Sequence, residues 1–389
     1  MRFTVLCGGF RPTFLAAGVA AAVLVPAWVL VWGFGWQLGI SWPPTLWHAH
    51  EMVFGFIAAA IAGFLLTAVP SWTGRRGFAG APLAVLTFIW VAARVLMATS
   101  SRWPALAVAA IDVGFLLTLA ALVAPPLVRA QNRNTPLLFV LGSLAFCNAV
   151  THWAVAHHDA ELAHHAILIA IDITLLLVTV IGGRIVPAFT ANALRAAGAS
   201  ASLRAWPGSS SAAIVAMAAV GLSDFFWLNS RVAGVVAGIA ALIQAARLAQ
   251  WRGLATVRQP IVWVLHLGYA WLPVGLALKC MALLFGFAVS AFWLHALTIG
   301  VLAMMIMAVM TRASLGHTGR ALAADPAIAF SYLLLFVAAV VRVFGLGLLG
   351  LPYPAVVVIS ACCWTAAFSL FLLVYAPILW SPRADGKPG

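Results

Sequence analysis

The sequence predicts an all-α polytopic membrane bundle of about 12 transmembrane helices. Of its 389 residues, 65% are hydrophobic and only 7% are charged, whereas soluble domains carry about 25% charged residues. The apolar runs are long, and a helix needs about 20 apolar residues to cross a bilayer. These two observations exclude a soluble globule and a β-barrel. The net charge of +13 is dispersed as single residues between apolar runs, so a nucleic-acid partner is also excluded.

The predicted helices follow from where polar residues, Gly and Pro interrupt the apolar runs. Most linkers are short, and the longest is the polar stretch 190–210. We therefore predict a single integral membrane domain, 1–389, whose two halves would be 1–195 and 205–389. The predicted spans are 13–36, 46–70, 82–98, 104–126, 135–156, 163–189, 211–228, 231–250, 260–287, 290–311, 326–350 and 354–380.

The basic residues predict the orientation of the spans. Lys and Arg concentrate in cytoplasmic loops of membrane proteins. Most of the 21 basic residues lie at the termini or in alternate loops, among them Arg11 and, beside the loop after the eighth span, Arg247. We therefore expect both termini to be cytoplasmic. The first apolar run is long and lacks a small-residue cleavage site, so no cleavable signal peptide is expected.

Histidine is unusually frequent, since ten His residues outnumber the eight acidic ones. Two of them, His266 and His317, fall toward the predicted cytoplasmic side. Neutral imidazole is a good ligand for iron and copper, and polar clusters inside a membrane are costly unless they have a function. The cysteines lack Cys-x-x-Cys-His spacing, so covalently attached haem is not expected. The metal-ligand candidates near the outer ends of their spans are His48, His50, His152 and His295.

The spacing of these candidates limits how they can act together. Two residues on an α-helix are separated by about 200° around its axis, so His48 and His50 point to opposite sides. Two arrangements stay open: the pair serves two centres, or one is a ligand and the other supports it. Glu51 follows His50 directly, and Asn148 lies one turn before His152. Both are predicted to support the ligands.

Ionisable residues within the spans form a second group of candidates. Such residues pair with each other or line a cavity. Their similar depths predict one pair of Arg94 with Asp112 and another of Asp172 with Lys279. Two interpretations remain open. The charges hold helices together, or Arg94, Arg342 or Lys279 neutralises the propionates of a haem bound by the outer histidines.

Several sequence stretches together resemble a known family. They are Gly-Gly-Phe-Arg-Pro at 8–12, Trp-His-Ala-His-Glu-Met-Val-Phe-Gly-Phe at 47–56, Ala-Gly-Phe-Leu-Leu-Thr-Ala-Val-Pro at 62–70, Gly-Gly-Arg-Ile-Val-Pro-Ala-Phe-Thr at 182–190, Leu-His-Leu-Gly-Tyr at 265–269, His-Ala-Leu-Thr-Ile-Gly at 295–300 and Met-Thr-Arg-Ala-Ser-Leu-Gly-His-Thr-Gly-Arg at 310–320. On these stretches the chain resembles the NnrS family of bacterial membrane proteins over nearly its whole length.

The resemblance implies a multi-pass protein of the bacterial inner (cytoplasmic) membrane that contains haem b and copper and takes part in the nitric-oxide response. Arg184 lies in one of the matching motifs, near the predicted cytoplasmic face, and is expected to support a cofactor. The histidines that the resemblance carries over as family-like are His48, His50, His152, His266, His295 and His317. Which of them binds iron and which binds copper stays open.

The leading functional hypothesis is a haem-copper protein that binds nitric oxide and protects against nitrosative stress, with reduction of nitric oxide as its candidate oxidoreductase activity. Its expected partners are nitric oxide, membrane lipid and an unidentified electron donor. His48, His50, His152 and His295 would form the outer site, with Glu51 beside them. Two alternatives remain: a multi-helix transporter or metal exporter, and a b-type cytochrome that only carries electrons.

Overall fold

The computed structural model describes residues 4–198, 206–288 and 292–387. Within these ranges the chain is helical and contains no strand. Twelve helices are long and apolar enough to span a membrane, so the predicted fold class is confirmed. They are α1 Phe10–Phe34, α2 Pro44–Thr73, α3 Ala81–Ala98, α4 Ala105–Arg129, α5 Leu137–Ala156, α6 Ala160–Ala196, α7 Ser209–Trp227, α8 Arg231–Ala249, α9 Pro260–Phe285, α10 Trp293–His317, α11 Pro326–Phe344 and α12 Tyr353–Trp380.

Local sequence accounts for several helix ends. The Ser230 hydroxyl accepts a hydrogen bond from the amide of Ala233 at the start of α8. The Asp325 carboxylate caps α11 in the same way through the amide of Ala327. Such side chains replace hydrogen bonds that the first turn of a helix cannot make internally. At the other end, α1 stops at Gly35, whose φ of 66° is a left-handed conformation that glycine adopts without strain.

One predicted boundary is wrong by about two helical turns. The polar stretch that begins at Thr190 was expected to be a linker, but α6 continues to Ala196. The hydroxyl of Thr190 donates to the carbonyl of Val186 one turn earlier, so this polar group is satisfied within the helix. Residues 199–205 of the predicted linker lie outside the described residues.

The chain forms two compact units. Unit 1 comprises Met1–Ala170, Ala313–Ala321 and Phe368–Gly389, and unit 2 comprises Ile171–Arg312 and Leu322–Ala367. The helices α6, α10 and α12 therefore contribute residues to both units. The predicted single domain with halves at 1–195 and 205–389, and the cytoplasmic location of both termini, stay predictions.

Two helices contain a wide π-helical segment directly after a candidate histidine. In α2 the segment is Glu51–Ile57 and follows His50. In α10 it is Ala296–Ala303 and follows His295. Hydrogen bonds in a π segment run from one residue to the fifth, which inserts an extra residue into the helix, and such segments are frequent at functional sites.

Two arginines that counted toward the predicted loop charge are buried. Arg11 is 1% exposed, and its Nη1 donates to the carbonyls of Leu379 and Ser381 at 2.7 Å each. Arg247 is 3% exposed and donates to the carbonyl of Thr179 at 2.9 Å. The charge pattern could not distinguish an arginine in water from one whose guanidinium binds backbone carbonyls, so it did not predict the burial of these two residues.

Candidate metal site

The candidate site lies in unit 1 and is centred on the carboxylate of Asp112 in α4. Asp112 Oδ2 lies 3.0 Å from His152 Nε2 and 3.1 Å from His50 Nε2. It also accepts a hydrogen bond from Asn148 Nδ2 at 2.8 Å. All four residues are buried. Helices α2, α4 and α5 therefore bring two imidazoles and one carboxylate oxygen to a single point.

The three ligand atoms are close enough for one metal ion. The atoms offered by His50, Asp112 and His152 all lie within 4.8 Å of one another. Tetrahedral ligands at about 2.1 Å from a metal are separated by about 3.4 Å, which this cluster can accommodate. Across residues 4–198, 206–288 and 292–387, no other group of three His, Cys, Asp or Glu residues satisfies the same criterion.

Arg94 in α3 ties this cluster to a second carboxylate. Its guanidinium donates to Glu51 Oε1 and to Asp112 Oδ1. Glu51 is completely buried, and its Oε2 has no hydrogen-bond partner among the described residues. The predicted pair of Arg94 with Asp112 is confirmed, and it extends to Glu51.

The charges of the cluster leave room for a further cation. Glu51 and Asp112 together carry two negative charges, and Arg94 supplies one positive charge. His50 faces an acceptor at each ring nitrogen, because Nδ1 lies 3.1 Å from Glu51 Oε1 and Nε2 lies 2.9 Å from Asn148 Oδ1. A neutral imidazole has a single N–H, so a proton or a metal ion on His50 completes the cluster.

Aromatic rings and a close backbone approach enclose the site. Trp42, from the loop before α2, lies edge-on to His50 at 4.8 Å and to His152 at 5.0 Å between ring centroids. A Cβ atom at Gly55 would lie 2.8 Å from the Arg94 guanidinium. Glycine at this position of the π segment therefore gives the arginine room to reach Glu51 and Asp112.

His48 lies outside the cluster although it is only two residues from His50. Its ring stacks on Trp28 of α1 at 4.3 Å between centroids. The two histidines thus have different neighbours, as their separation around the helix predicts. Of the four outer candidates, the structure brings His50 and His152 together, places His48 elsewhere in unit 1, and places His295 in unit 2.

The sequence matches one family model over nearly its whole length. The family model described as NnrS protein matches residues 4–383. The chain belongs to the NnrS family. No curated protein matches it. Membership of the NnrS family suggests a role in the nitric-oxide response and a protein that binds a metal or haem.

The other NnrS-motif histidines have distinct surroundings. His266 in α9 shares a 2.8 Å hydrogen bond with Thr190 through Nε2. Its other nitrogen faces the backbone of Gly253, where a Cβ would lie 2.8 Å away. To bind a metal, His266 would have to break its hydrogen bond with Thr190 or move its other ring nitrogen away from Gly253. His317 packs against Phe10 at 5.6 Å between ring centroids.

A second buried charge cluster lies in unit 2 and differs from the predicted pair of Asp172 with Lys279. Lys279 forms its ion pair with Asp224 of α7. Asp172 packs beside the same helix, since a Cβ at Gly221 of α7 would lie 3.5 Å from its side chain. The Lys279 ammonium also lies 4.7 Å from the ring centroid of Trp293. Depth along the helices identified two members of this cluster but could not identify Asp224.

Arg342 and Arg184 complete the set of predicted supporting residues, and both remain predictions as cofactor partners. Arg342 in α11 is 7% exposed, and its guanidinium carbon lies 5.1 Å from the ring centroid of Phe292 and 5.3 Å from that of Tyr353. Its Nη1 has no hydrogen-bond partner among the described residues. Arg184 in α6 is exposed. The guanidinium of Arg94 is already engaged by two carboxylates, as described above.

Sequence reasoning missed the central role of Asp112. It assigned Asp112 only as a partner of Arg94, whereas this carboxylate also joins His50, His152 and Asn148. A signal was present, since Asp112 is one of only eight acidic residues and falls within a span. A carboxylate inside a membrane marks a functional site by default.

Proposed function

We propose that this protein is a haem- and copper-containing protein of the bacterial inner membrane that binds nitric oxide and protects the cell from nitrosative stress. Family membership supports the role in the nitric-oxide response. The single structural observation that carries the metal assignment is the convergence of His50, Asp112 and His152. Reduction of nitric oxide is the activity that we propose to test.

The donor set of this cluster fits copper or another first-row transition metal. Imidazole nitrogens suit copper, iron and zinc, whereas Mg²⁺ and Ca²⁺ favour oxygen ligands alone. His50 and His152 would supply the nitrogens, and Asp112 would supply the oxygen. Copper supplies one-electron chemistry and a coordination position for a small ligand.

The residues around the ligands would hold them in place. Asn148 contacts both His50 and Asp112, and Arg94 binds the other oxygen of Asp112. Such outer contacts orient metal ligands and set their charge. Trp42 packs edge-on against both imidazole rings, which helps to fix their orientation.

The haem part of the proposal comes from the family. His48, His295, His266 and His317 are its candidate ligands, with Arg342 and Lys279 as candidate partners of the propionates. A haem needs an axial ligand and counter-charges for its propionates, and Arg342 supplies a buried guanidinium with one unsatisfied nitrogen.

The test begins with metal analysis and absorption spectra of the purified protein, oxidised, reduced and with nitric oxide. We expect a Soret band, bound copper, and a change of the spectrum with nitric oxide. His152→Leu should lose copper, whereas His157→Leu, an exposed histidine on the same segment, should keep it. A protein with neither a Soret band nor iron or copper refutes the proposal.

Two other outcomes would favour the alternative functions. Substrate-dependent flux in proteoliposomes by a protein without haem would indicate a transporter or metal exporter. A six-coordinate haem that does not react with nitric oxide would indicate an electron-carrying b-type cytochrome. Growth under a nitric-oxide donor, restored by the wild-type gene but not by His50→Leu at equal expression, connects the site to protection.

A further inference from the structure

The buried charges of unit 2 are separate from the candidate metal site. Asp172 of α6, Asp224 of α7 and Lys279 of α9 are 6%, 2% and 1% exposed. All three lie within helices that are long and apolar enough to span a membrane. Ionisable side chains in such positions are costly, and they often mark the path of an ion or a proton. Their charges have to be balanced within unit 2.

The three side chains come together from three helices. Lys279 Nζ forms an ion pair with Asp224 Oδ2. Asp172 packs on the same face of α7, because Gly221, whose Cβ would lie 3.5 Å from the Asp172 side chain, is one helical turn before Asp224. Asp224 is the only Asp, Glu, Lys or Arg in α7, and Lys279 is the only one in α9. Both interact electrostatically with Asp172.

This cluster has one more carboxyl group than it has ammonium groups. The pair of Lys279 with Asp224 is neutral when both side chains are ionised. An ionised Asp172 would then add an uncompensated negative charge to the apolar interior. Its Oδ2 is buried and has no hydrogen-bond partner among the described residues. A buried carboxylate without such partners is strongly disfavoured, so Asp172 requires a bound cation.

A proton suits this cluster better than a metal ion does. Hard cations such as Mg²⁺ and Ca²⁺ take about six or more oxygen ligands, whereas the cluster offers two carboxyl groups. The ammonium of Lys279 already occupies one of them and would repel a second cation. A proton needs a single oxygen atom, and it cancels the one excess charge.

We propose that Asp172 is an exchangeable proton-binding site, held as a neutral carboxylic acid beside the ionised pair of Asp224 and Lys279. Asp224 is three residues, or about 5 Å along the axis, from the end of α7 at Trp227. Lys279 is six residues, or about 9 Å, from the end of α9 at Phe285. One helix separates α7 from α9, so both ends lie on the same side of the membrane. Protons exchange with the water on that side.

The first experiment is infrared spectroscopy of the purified full-length protein in lipid at pH 7, with ¹³C in the side-chain carboxyl groups of aspartate. An exposed aspartate has a pKa of about 3.9 and is ionised at this pH. We expect a C=O band of a protonated carboxyl group that shifts with the label, which excludes haem propionates as its source. The band should shift again in D₂O while the circular dichroism of the folded protein is unchanged. Absence of the band, or a band that does not respond to D₂O, would overturn the proposal.

A matched pair of variants assigns the band. Asp172→Asn keeps the shape of the side chain and should abolish the band. Asp325→Asn is the control, because Asp325 is exposed at the start of α11 and asparagine caps a helix equally well. The band should remain in this control. A band that survives Asp172→Asn would refute the assignment to Asp172.

Two further variants test the charge balance. Asp224→Asn leaves Asp172 as the only carboxyl group beside Lys279, so Asp172 should ionise and the band should disappear although Asp172 is still present. Lys279→Met removes the ammonium, so both carboxyl groups should hold protons and the band should grow about twofold. A band that neither variant changes would overturn the proposal. These measurements involve neither metal nor nitric oxide, so their failure would leave the proposed function unaffected.

Discussion

Replacing Arg94 by Met should destabilise unit 1 more than any other single arginine change there. The guanidinium lies between two buried carboxylates, with Glu51 0% and Asp112 2% exposed. Removing one partner of a buried ion pair costs about 3–5 kcal/mol, because the remaining charge has no compensation. Methionine nearly preserves the volume of the side chain, so little of the loss arises from a cavity. We therefore expect the free energy of unfolding to fall by about 3–5 kcal/mol.

The assay is unfolding in mixed detergent micelles, followed by circular dichroism, on protein whose metal content is known. The matched control is Arg102→Met, since Arg102 is exposed in the turn after α3 and should change stability by no more than about 0.5 kcal/mol. Combining Arg94→Met with Glu51→Gln removes one of the stranded carboxylates and should recover about 1–2 kcal/mol. If Arg94→Met behaves like Arg102→Met, or the double variant recovers nothing, the electrostatic account of the cluster is wrong.

Three further changes test other contacts by the same unfolding measurement. Gly183→Ala places a Cβ 1.8 Å from the Arg247 guanidinium and should lower the free energy of unfolding by about 1–3 kcal/mol. The control is Gly114→Ala, whose Cβ meets nothing within 4 Å and which should be neutral or stabilising. Equal effects of the two variants would refute the steric account of Gly183. Lys279→Met strands the Asp224 carboxylate in unit 2 and should cost about 3–5 kcal/mol, so an unchanged midpoint would show that the ion pair contributes no net stability. Arg11→Ala removes two charged hydrogen bonds to the end of α12, and the tail should then be cut faster by trypsin; an unchanged cleavage rate would show that Arg11 does not hold the tail.

The twelve helices could be predicted because a bilayer imposes a length and a composition on whatever crosses it. Each span also had to satisfy its own backbone, so local sequence was sufficient. The pairing of Arg94 with Asp112 was also predictable, because ionisable side chains inside a membrane form ion pairs with others at similar depth. Their position near the outer ends of their spans made His50 and His152 candidates, and the family resemblance supported both.

Contacts between distant helices could not be predicted in this way. Depth is a single coordinate, and it does not say which helices are neighbours. Lys279 was therefore assigned to Asp172, although its ion-pair partner is Asp224 on α7. The same limit hid the meeting of His50, Asp112 and His152, whose residues come from three helices. Burial of Arg247 also depends on partners contributed by other helices, such as Tyr269.

Because of the π segment in α2, the direction in which the His50 side chain points depends on the number of residues in that segment and not only on their types. One inserted residue turns everything before it by about 100° relative to everything after it. A single-residue deletion within Glu51–Ile57 would let α2 relax to a regular helix. The deletion would then either rotate His50 away from Asp112 or rotate the following half of the helix out of its packing contacts. Relatives of this protein should therefore vary the residues of this segment far more readily than their number.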